Sequence, residues 1–151
     1  MSTLGNTTNE SSTIGKHCVL ELYGCDAGRL NDRDFILATM RNAAESAGAT
    51  WLNQCSHAFE PQGVTALGLL SESHISMHTW PELGYAACDV FTCGDQCNPE
   101  IAAKQLAHAF SATSYNLKTL PRAARLTADR DGNLAVLGMP EPGSVFLDQR
   151  P

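Results

Sequence analysis

Residues 64–93 read VTALGLLSESHISMHTWPELGYAACDVFTC and carry the clearest signal of the architecture. Three segments within it, Val64–Leu70, His74–Trp80 and Tyr85–Thr92, have the length and composition of β-strands. The connections between them are short, and strands joined by short turns pair antiparallel. In the middle segment, alternate side chains face opposite sides of the predicted sheet: Ile75, Met77 and Thr79 on one side, and His74, Ser76, His78 and Trp80 on the other.

The rest of the chain adds two helices and further strands. One helix is predicted over Asn31–Ala47, which has an apolar stripe at helical spacing and a stop at Gly48. A second is predicted to begin at Asn98-Pro99-Glu100 and to run to about Ala112. Further strands are predicted at His17–Tyr23, Thr50–Phe59 and Ser114–Leu120, with a weaker one at Asn133–Leu137. The sequence therefore predicts an α+β fold, a two-layer sandwich in which helices pack on one face of an antiparallel β-sheet.

Length and composition limit the classes of function. The chain has 151 residues, of which 43% are hydrophobic, and a net charge of −6. We expect one domain over 15–138, with flexible tails at 1–14 and 139–151. The acidic balance argues against nucleic acid and anionic membranes as partners, and no run reaches the roughly 18 apolar residues of a membrane span. Because the first residues do not resemble a secretory signal, we expect a cytoplasmic location in which the six cysteines are thiols.

The segment Ser71–Glu82, SESHISMHTWPE, concentrates reactive side chains. It holds three serines, two histidines, two carboxylates and a tryptophan. Four interpretations compete: a metal site, a Ser or Cys hydrolase, a self-modifying segment, and a polar strand without chemistry. A zinc site is disfavoured, because His74 and His78 lie about 13 Å apart on a strand, too far for one ion.

A hydrolase has weak support from the residues. No G-x-S-x-G motif is present, and a cysteine such as Cys93 is commonly a buried apolar residue, whether or not a histidine such as His78 is nearby. Self-modification is chemically possible, because a serine hydroxyl in a tight turn can attack the preceding carbonyl. That reaction needs a strained peptide, a group that manages the protons and donors for the oxyanion. The residues alone leave these interpretations open.

Several motifs together resemble the bacterial S-adenosylmethionine decarboxylase proenzyme family. The resemblance runs from Gly15 to Arg122 and is most specific in two segments, ESH-x-S-x-HTWPE over Glu72–Glu82 and DVFTCG over Asp89–Gly94. Shorter matches are GKH, ELYGCD, LND, PQGV and GYAA.

The resemblance implies that the chain cuts itself between Glu72 and Ser73, into 1–72 and 73–151. The Ser73 oxygen attacks the Glu72 carbonyl, the amide becomes an ester, and elimination and hydrolysis leave a covalent pyruvoyl group at residue 73. That ketone forms a Schiff base with S-adenosylmethionine and takes up the charge left by decarboxylation, as PLP does in other enzymes. The product is the aminopropyl donor of spermidine synthesis, and no metal is implied.

The same resemblance assigns roles to further residues. It implies that His78 accepts protons during the cut and that Cys93 donates a proton to the α-carbon of the substrate. Thr65 would assist the cut at a position where the family has a serine, and threonine keeps the hydroxyl. Aromatic faces suit adenine or the sulfonium, and a carboxylate suits the ribose hydroxyls. The candidate substrate contacts are Phe59, Ile75, Trp80 and Glu82.

The resemblance also implies a homodimer of processed protomers, with residues of both near each active site. Two other functions stay open. A pyruvoyl-dependent arginine or ornithine decarboxylase would use the same scaffold, although Trp80 and Glu82 favour a nucleoside substrate. An unprocessed paralogue would act as a regulatory partner, although it would have no need for Ser73, His78 and Cys93 together.

Overall fold

The structure, a computed structural model, describes residues 14–122, 126–128 and 134–136. Its main feature is a six-stranded antiparallel sheet. The strands are β1 (Gly15–Tyr23), β2 (Trp51–Ala58), β3 (Val64–Leu70), β4 (Ser73–Trp80), β5 (Tyr85–Cys93) and β6 (Ser114–Arg122). Their order across the sheet is β2-β3-β4-β5-β1-β6, so that β1 lies between β5 and β6.

Two long helices follow β1 and β5 in the chain. A four-residue helix, α1 (Ala27–Leu30), precedes the first long helix, α2 (Arg33–Ser46). The sequence did not indicate α1, because four residues are too few to show a helical repeat of apolar positions. α2 begins after Asp32, whose carboxylate caps the helix by accepting a hydrogen bond from the N–H of Phe35 at 2.9 Å.

The second long helix is α3 (Pro99–Ala109), which begins after Asn98 as expected. Its end precedes the predicted Ala112, because Ser111 has a φ of 53°, a left-handed conformation that cannot continue a helix.

The hydrophobic core lies between the sheet and the helices α2 and α3. Because successive residues of a strand face opposite sides, the central strands β1, β3, β4 and β5 contribute every second side chain to it. On β4 these are Ile75, Met77 and Thr79, all buried as the alternation predicted. The other strands and the helices add Cys18, Leu20, Leu22, Val64, Ala66, Val90, Ile36, Met40, Leu106 and Phe110. The predicted two-layer α+β sandwich is confirmed.

The opposite side of the sheet, here called the open face, carries the other set of alternating side chains. On β4 and β5 these include His74, Ser76, His78, Asp89 and Cys93. Large apolar side chains are also exposed there, between 39% and 52%: Tyr23, Leu67, Leu69, Trp80 and Leu120.

A second, two-stranded antiparallel sheet consists of β7 (Leu126–Ala128) and β8 (Leu134–Val136). β8 corresponds to the weak strand predicted at Asn133–Leu137, with narrower bounds. The predicted tails lie outside the described residues, apart from Ile14, so the domain bounds stay a prediction. Within the described part of the chain, no helix has the length and apolar character needed to cross a membrane.

Candidate active site

Ser73 follows a tight turn, Ser71–Glu72, that joins β3 to β4. Thr50, just before β2, holds this turn in place. Its main-chain N–H and its hydroxyl donate to the Glu72 carboxylate at 2.9 and 3.2 Å, and its carbonyl accepts a hydrogen bond from the N–H of Ser71 at 2.9 Å. These contacts fix the position of the Glu72–Ser73 peptide.

The Glu72–Ser73 peptide has the features that a reactive amide needs. Ser73 has a φ of 154°, a conformation that residues with a Cβ rarely adopt and that costs about 1–3 kcal/mol. The carbonyl oxygen of Glu72 accepts a hydrogen bond from the main-chain N–H of Cys93 at 3.0 Å. A donor in this position would stabilise negative charge on that oxygen during attack at the carbonyl carbon.

A hydrogen-bonded network next to Ser73 was missed by sequence reasoning. Nδ1 of His74 lies 3.2 Å from the Ser73 hydroxyl oxygen, and Nε2 of His74 lies 2.8 Å from Oδ2 of Asp89. Nε2 of His17 lies 2.7 Å from the same carboxylate oxygen. The signal in the sequence was weak: the three residues lie in the matching motifs GKH, ESH and DVFTCG, but nothing there indicates that they meet.

Two further side chains complete this network. The Ser76 hydroxyl donates to Oδ1 of Asp89, and Nη1 of Arg122 donates to Nδ1 of His17 at 3.0 Å. Burial alone would raise the pKa of Asp89, but the hydrogen bonds from Ser76, His17 and His74 outweigh it and lower the pKa below its ordinary value. Asp89 is therefore a carboxylate at neutral pH.

His17, His74 and Asp89 are also the one group with metal-ligand spacing that the described residues contain, their ligand atoms lying within 4.8 Å of one another. The hydrogen bonds described above already account for each of these atoms. The pair considered from sequence, His74 with His78, does not belong to such a group in the described part of the chain.

His78 and Thr65 face each other at the other end of β4. They are directly paired across β3 and β4, and Nδ1 of His78 lies 3.1 Å from the Thr65 hydroxyl oxygen. His78 follows Ser73 by five residues, which on an extended strand is about 16 Å. A single protomer therefore does not bring His78 to the Glu72–Ser73 peptide.

A cleft of about 330 Å³ surrounds His78 and Thr65. Its lining includes three of the four candidate substrate contacts, Phe59, Trp80 and Glu82. Phe59 and Trp80 are 51% and 39% exposed, so neither is a core residue. The two groups of predicted site residues thus lie apart: Ser73 and Cys93 at one end of β4, the cleft at the other.

The fourth candidate contact, Ile75, needs correction. It is completely buried on the helix side of the sheet, because it alternates with His74 and Ser76 and faces the core as Met77 and Thr79 do. Ile75 therefore does not line the open-face cleft.

Comparison with known proteins gives a consistent family. A family model described as S-adenosylmethionine decarboxylase matches residues 16–123. A relative from Prochlorococcus marinus (strain MIT 9313) is 57% identical over 120 residues, covering 78% of this chain and 96% of the relative. One from Synechococcus sp. (strain WH7803) is 56% identical over 109 residues, covering 72% and 85%. Both relatives are called S-adenosylmethionine decarboxylase proenzyme.

A solved structure has the same fold. It is the crystal structure of the adenosylmethionine decarboxylase from Aquifex aeolicus VF5, with a TM-score of 0.69 and 33% sequence identity. The match covers 74% of this chain and 92% of that one.

Proposed function

The chain belongs to the S-adenosylmethionine decarboxylase family, and we propose that it cuts itself before Ser73, forms a pyruvoyl group there and decarboxylates S-adenosylmethionine. The observation that carries this proposal is the geometry of one peptide. Ser73 has a φ of 154°, and the Glu72 carbonyl accepts a hydrogen bond from Cys93. Strain and an oxyanion donor at the same amide favour attack by the adjacent hydroxyl.

The cut proceeds in two stages. In the first, the Ser73 hydroxyl oxygen attacks the Glu72 carbonyl carbon and the C–N bond breaks, which leaves an ester and a free Ser73 amine. In the second, removal of the Ser73 α-proton expels the Glu72 carboxylate, which becomes the end of fragment 1–72. The dehydroalanine left at residue 73 tautomerises to an imine, and its hydrolysis releases ammonia and leaves the pyruvoyl group on fragment 73–151.

The pyruvoyl ketone supplies an electron sink for the charge that remains on the substrate α-carbon when CO₂ leaves. Cys93 is suited to return the proton. Its side chain is half-buried on the open face, and its main-chain N–H contacts the carbonyl of the residue before Ser73. We assign the thiol of Cys93 as the general acid.

The cleft residues suit a nucleoside substrate that carries a sulfonium. Exposed aromatic faces at Phe59 and Trp80 attract a cation and stack on a purine, and the Glu82 carboxylate accepts hydrogen bonds from ribose hydroxyls. The names of the relatives also favour S-adenosylmethionine over arginine or ornithine. The decarboxylated product would serve as the donor in aminopropyl transfer. The cytoplasmic location expected from the sequence stays a prediction.

We further propose that the active enzyme is a homodimer joined through the open faces. Leu67, Leu69 and Leu120 are exposed there by 41–52%, and covering them removes apolar surface from water. Face-to-face packing of two sheets is a stable arrangement, and twofold symmetry is the commonest one for oligomers.

A dimer of this kind also unites the two halves of the site. The proposed twofold axis lies in the plane between the two sheets and crosses β4 near Ser76. The β4 strand of the partner then runs in the opposite direction. It brings the partner's His78 over Ser73, because the two residues are about equally far from the middle of β4. The cleft with Phe59, Trp80 and Glu82 would then complete the site around the other protomer's pyruvoyl group.

Intact-mass analysis tests the proposed function. Wild-type chain is expected as fragments 1–72 and 73–151, the second without an N-terminal amine, and Ser73→Ala as one uncut chain without activity. CO₂ release is then measured with S-adenosylmethionine, arginine and ornithine. Cutting of Ser73→Ala at the same bond, or activity with the basic amino acids alone, would contradict the proposal.

A further inference from the structure

We propose that His74 is the base that activates the Ser73 hydroxyl in the first stage of self-cleavage, and that Asp89 is its positioning residue. The inference rests on the proposed function and divides its proton transfers between two histidines. His74 serves the shift from amide to ester, and His78 serves the later elimination. Neither sequence pattern nor resemblance assigned a role to His74 or Asp89.

The first observation is contact. Nδ1 of His74 lies 3.2 Å from the Ser73 hydroxyl oxygen, within reach for proton transfer. His78, in contrast, contacts Thr65 and lies about 16 Å from Ser73 along the strand. Within one protomer, His74 is therefore the histidine that touches the attacking group.

The second observation is the tautomer of His74. Asp89 is ionised and can only accept hydrogen bonds, so the contact of 2.8 Å between its Oδ2 and Nε2 of His74 requires a proton on Nε2. In the neutral ring the lone pair is then on Nδ1, the atom that faces the Ser73 hydroxyl. The ring is thus oriented as an acceptor toward the nucleophile.

The remaining members of the network keep Asp89 in this role. Ser76 donates to its other oxygen, and His17 donates to Oδ2 at 2.7 Å. Arg122 donates to the second nitrogen of His17, so Nδ1 of that ring accepts and the proton on Nε2 points toward Asp89. When His74 gains a proton, the adjacent carboxylate stabilises the imidazolium.

The proton transfers balance within this geometry. His74 Nδ1 takes the hydroxyl proton as the Ser73 oxygen bonds to the Glu72 carbonyl carbon. Negative charge moves to the carbonyl oxygen, which the N–H of Cys93 contacts at 3.0 Å. When the C–N bond breaks, His74 returns the proton to the departing Ser73 nitrogen. His74 has the same number of protons at the end of the amide-to-ester shift as at its start, and no other reactant is needed.

Hydroxylamine distinguishes the two stages, because at neutral pH it cleaves esters and leaves ordinary amides intact. The variants His74→Asn and His78→Ala are purified and incubated with and without it. Asparagine keeps a hydrogen-bonding group near Nδ1 but is not a base. We expect His74→Asn to cut about 10²–10⁴-fold more slowly, with no acceleration by hydroxylamine. His78→Ala is expected to hold the ester and to release fragment 1–72 when hydroxylamine is added.

Two further measurements separate a base from a structural residue. Free imidazole is expected to restore cutting in His74→Ala, which a purely structural role would not allow. Asp89→Asn is expected to slow the first stage, because an amide can donate to Nε2 and stabilise the unproductive tautomer. His108→Asn, on the exposed surface of α3, is the matched control and is expected to cut at the wild-type rate. Circular dichroism checks that each variant is folded.

The outcomes are distinct from failure of the proposed function. A wild-type chain that never cuts at Glu72–Ser73 overturns self-processing and this inference with it. A wild-type chain that cuts, with His74→Asn cutting equally fast, overturns the role of His74 alone. The same follows if His74→Asn accumulates hydroxylamine-sensitive chain, because the residue would then act after the ester has formed.

Discussion

Cys93 contributes to the site through two separate groups. Its main-chain N–H donates to the Glu72 carbonyl at 3.0 Å, and its thiol is half-buried on the open face. A substitution of the side chain removes the thiol and keeps the N–H. The self-cleavage and the decarboxylation can therefore be separated by a single change at this residue.

We predict that Cys93→Ala is still cut into 1–72 and 73–151 but loses decarboxylation. The loss should be about 10²–10⁴-fold in kcat, the usual contribution of a positioned general acid. Intact mass reports the cut, and CO₂ release reports the turnover. Cys55→Ala, an exposed cysteine on β2, is the control. Wild-type turnover by cut Cys93→Ala chain would show that another group returns the proton.

At the level of residues, the sequence identified the site residues that lie in short motifs. It missed the residues that only long-range contacts bring together. Ser73 and Cys93 were named from motifs, and the structure joins them through the Glu72 carbonyl. The contact of His17 with Asp89 spans 72 positions in the chain. Only the pairing of β1 with β5 brings these two residues together, so no local pattern could indicate their contact.

Among the elements, Asp89 links the central strands. It lies on β5 and accepts hydrogen bonds from His17 on β1 and from His74 and Ser76 on β4. Burial alone would raise the pKa of Asp89, but these hydrogen bonds lower it below its ordinary value of 3.8. Since the pKa is lower in the folded state, the carboxylate contributes to the free energy of unfolding above about pH 4, and this contribution is lost as the pH falls through the folded-state pKa.

We therefore predict that Asp89→Asn lowers the free energy of unfolding by an amount that depends on pH. The measurement uses the Ser73→Ala chain, which is expected to stay uncut. Near pH 7 the change should lower the free energy of unfolding by about 2 kcal/mol, the scale of hydrogen bonds to a charged group. The difference from the parent chain should shrink as the pH falls below about 4 and through the folded-state pKa of Asp89. Urea unfolding at each pH measures it. A difference that is independent of pH would contradict the role of the ionised carboxylate.

Gly68 on β3 permits close packing of Trp51 against the sheet. A Cβ at this position would lie 2.4 and 2.5 Å from two atoms of the Trp51 ring and 2.8 Å from Cγ2 of Ile75. We predict that Gly68→Ala lowers the free energy of unfolding by about 1–3 kcal/mol, again in Ser73→Ala chain. Gly28→Ala in α1 is the control, since a Cβ there would make its closest contact with Oδ1 of Asp26 at 3.2 Å. Equal stability of the two variants would refute the steric argument.

Strands were more predictable than the ends of helices. The alternation in His74–Trp80 predicted which side chains of β4 are buried, because one face of the sheet is covered and the other is not. The end of α3 was placed too late, because the left-handed conformation of Ser111 is set by its surroundings and not by its residue type.

For the whole molecule, the separation of His78 from Ser73 makes the dimer testable. We predict that co-expressed Ser73→Ala and His78→Ala chains complement each other. The His78→Ala chain keeps Ser73, and in a mixed dimer the partner supplies His78. Mass spectrometry should then detect fragment 73–151 carrying the His78→Ala substitution. Each variant expressed alone serves as the control.

If His78 acted within its own chain, fragment 73–151 carrying His78→Ala would be no more abundant after co-expression than when the His78→Ala chain is expressed alone. Sedimentation should show dimers for wild-type chain and for both variants. A monomer with full activity would contradict the shared site.

The global arrangement was only partly predictable. Short turns predicted antiparallel neighbours from β2 to β5, and the sheet has this order. The position of β1 between β5 and β6 could not be predicted, because both of its partners lie far along the chain and no turn length constrains them.

That position of β1 has a consequence for the cut molecule. After cleavage, β1, β2 and β3 belong to one polypeptide, and β4, β5 and β6 belong to the other. The first strand is then enclosed on both edges by strands of the second piece, and β3 still pairs with β4. The pieces can part only if β1 leaves its place between β5 and β6 and β3 separates from β4. We therefore expect that dilution alone does not dissociate the two fragments. The cut protein should unfold in one cooperative transition.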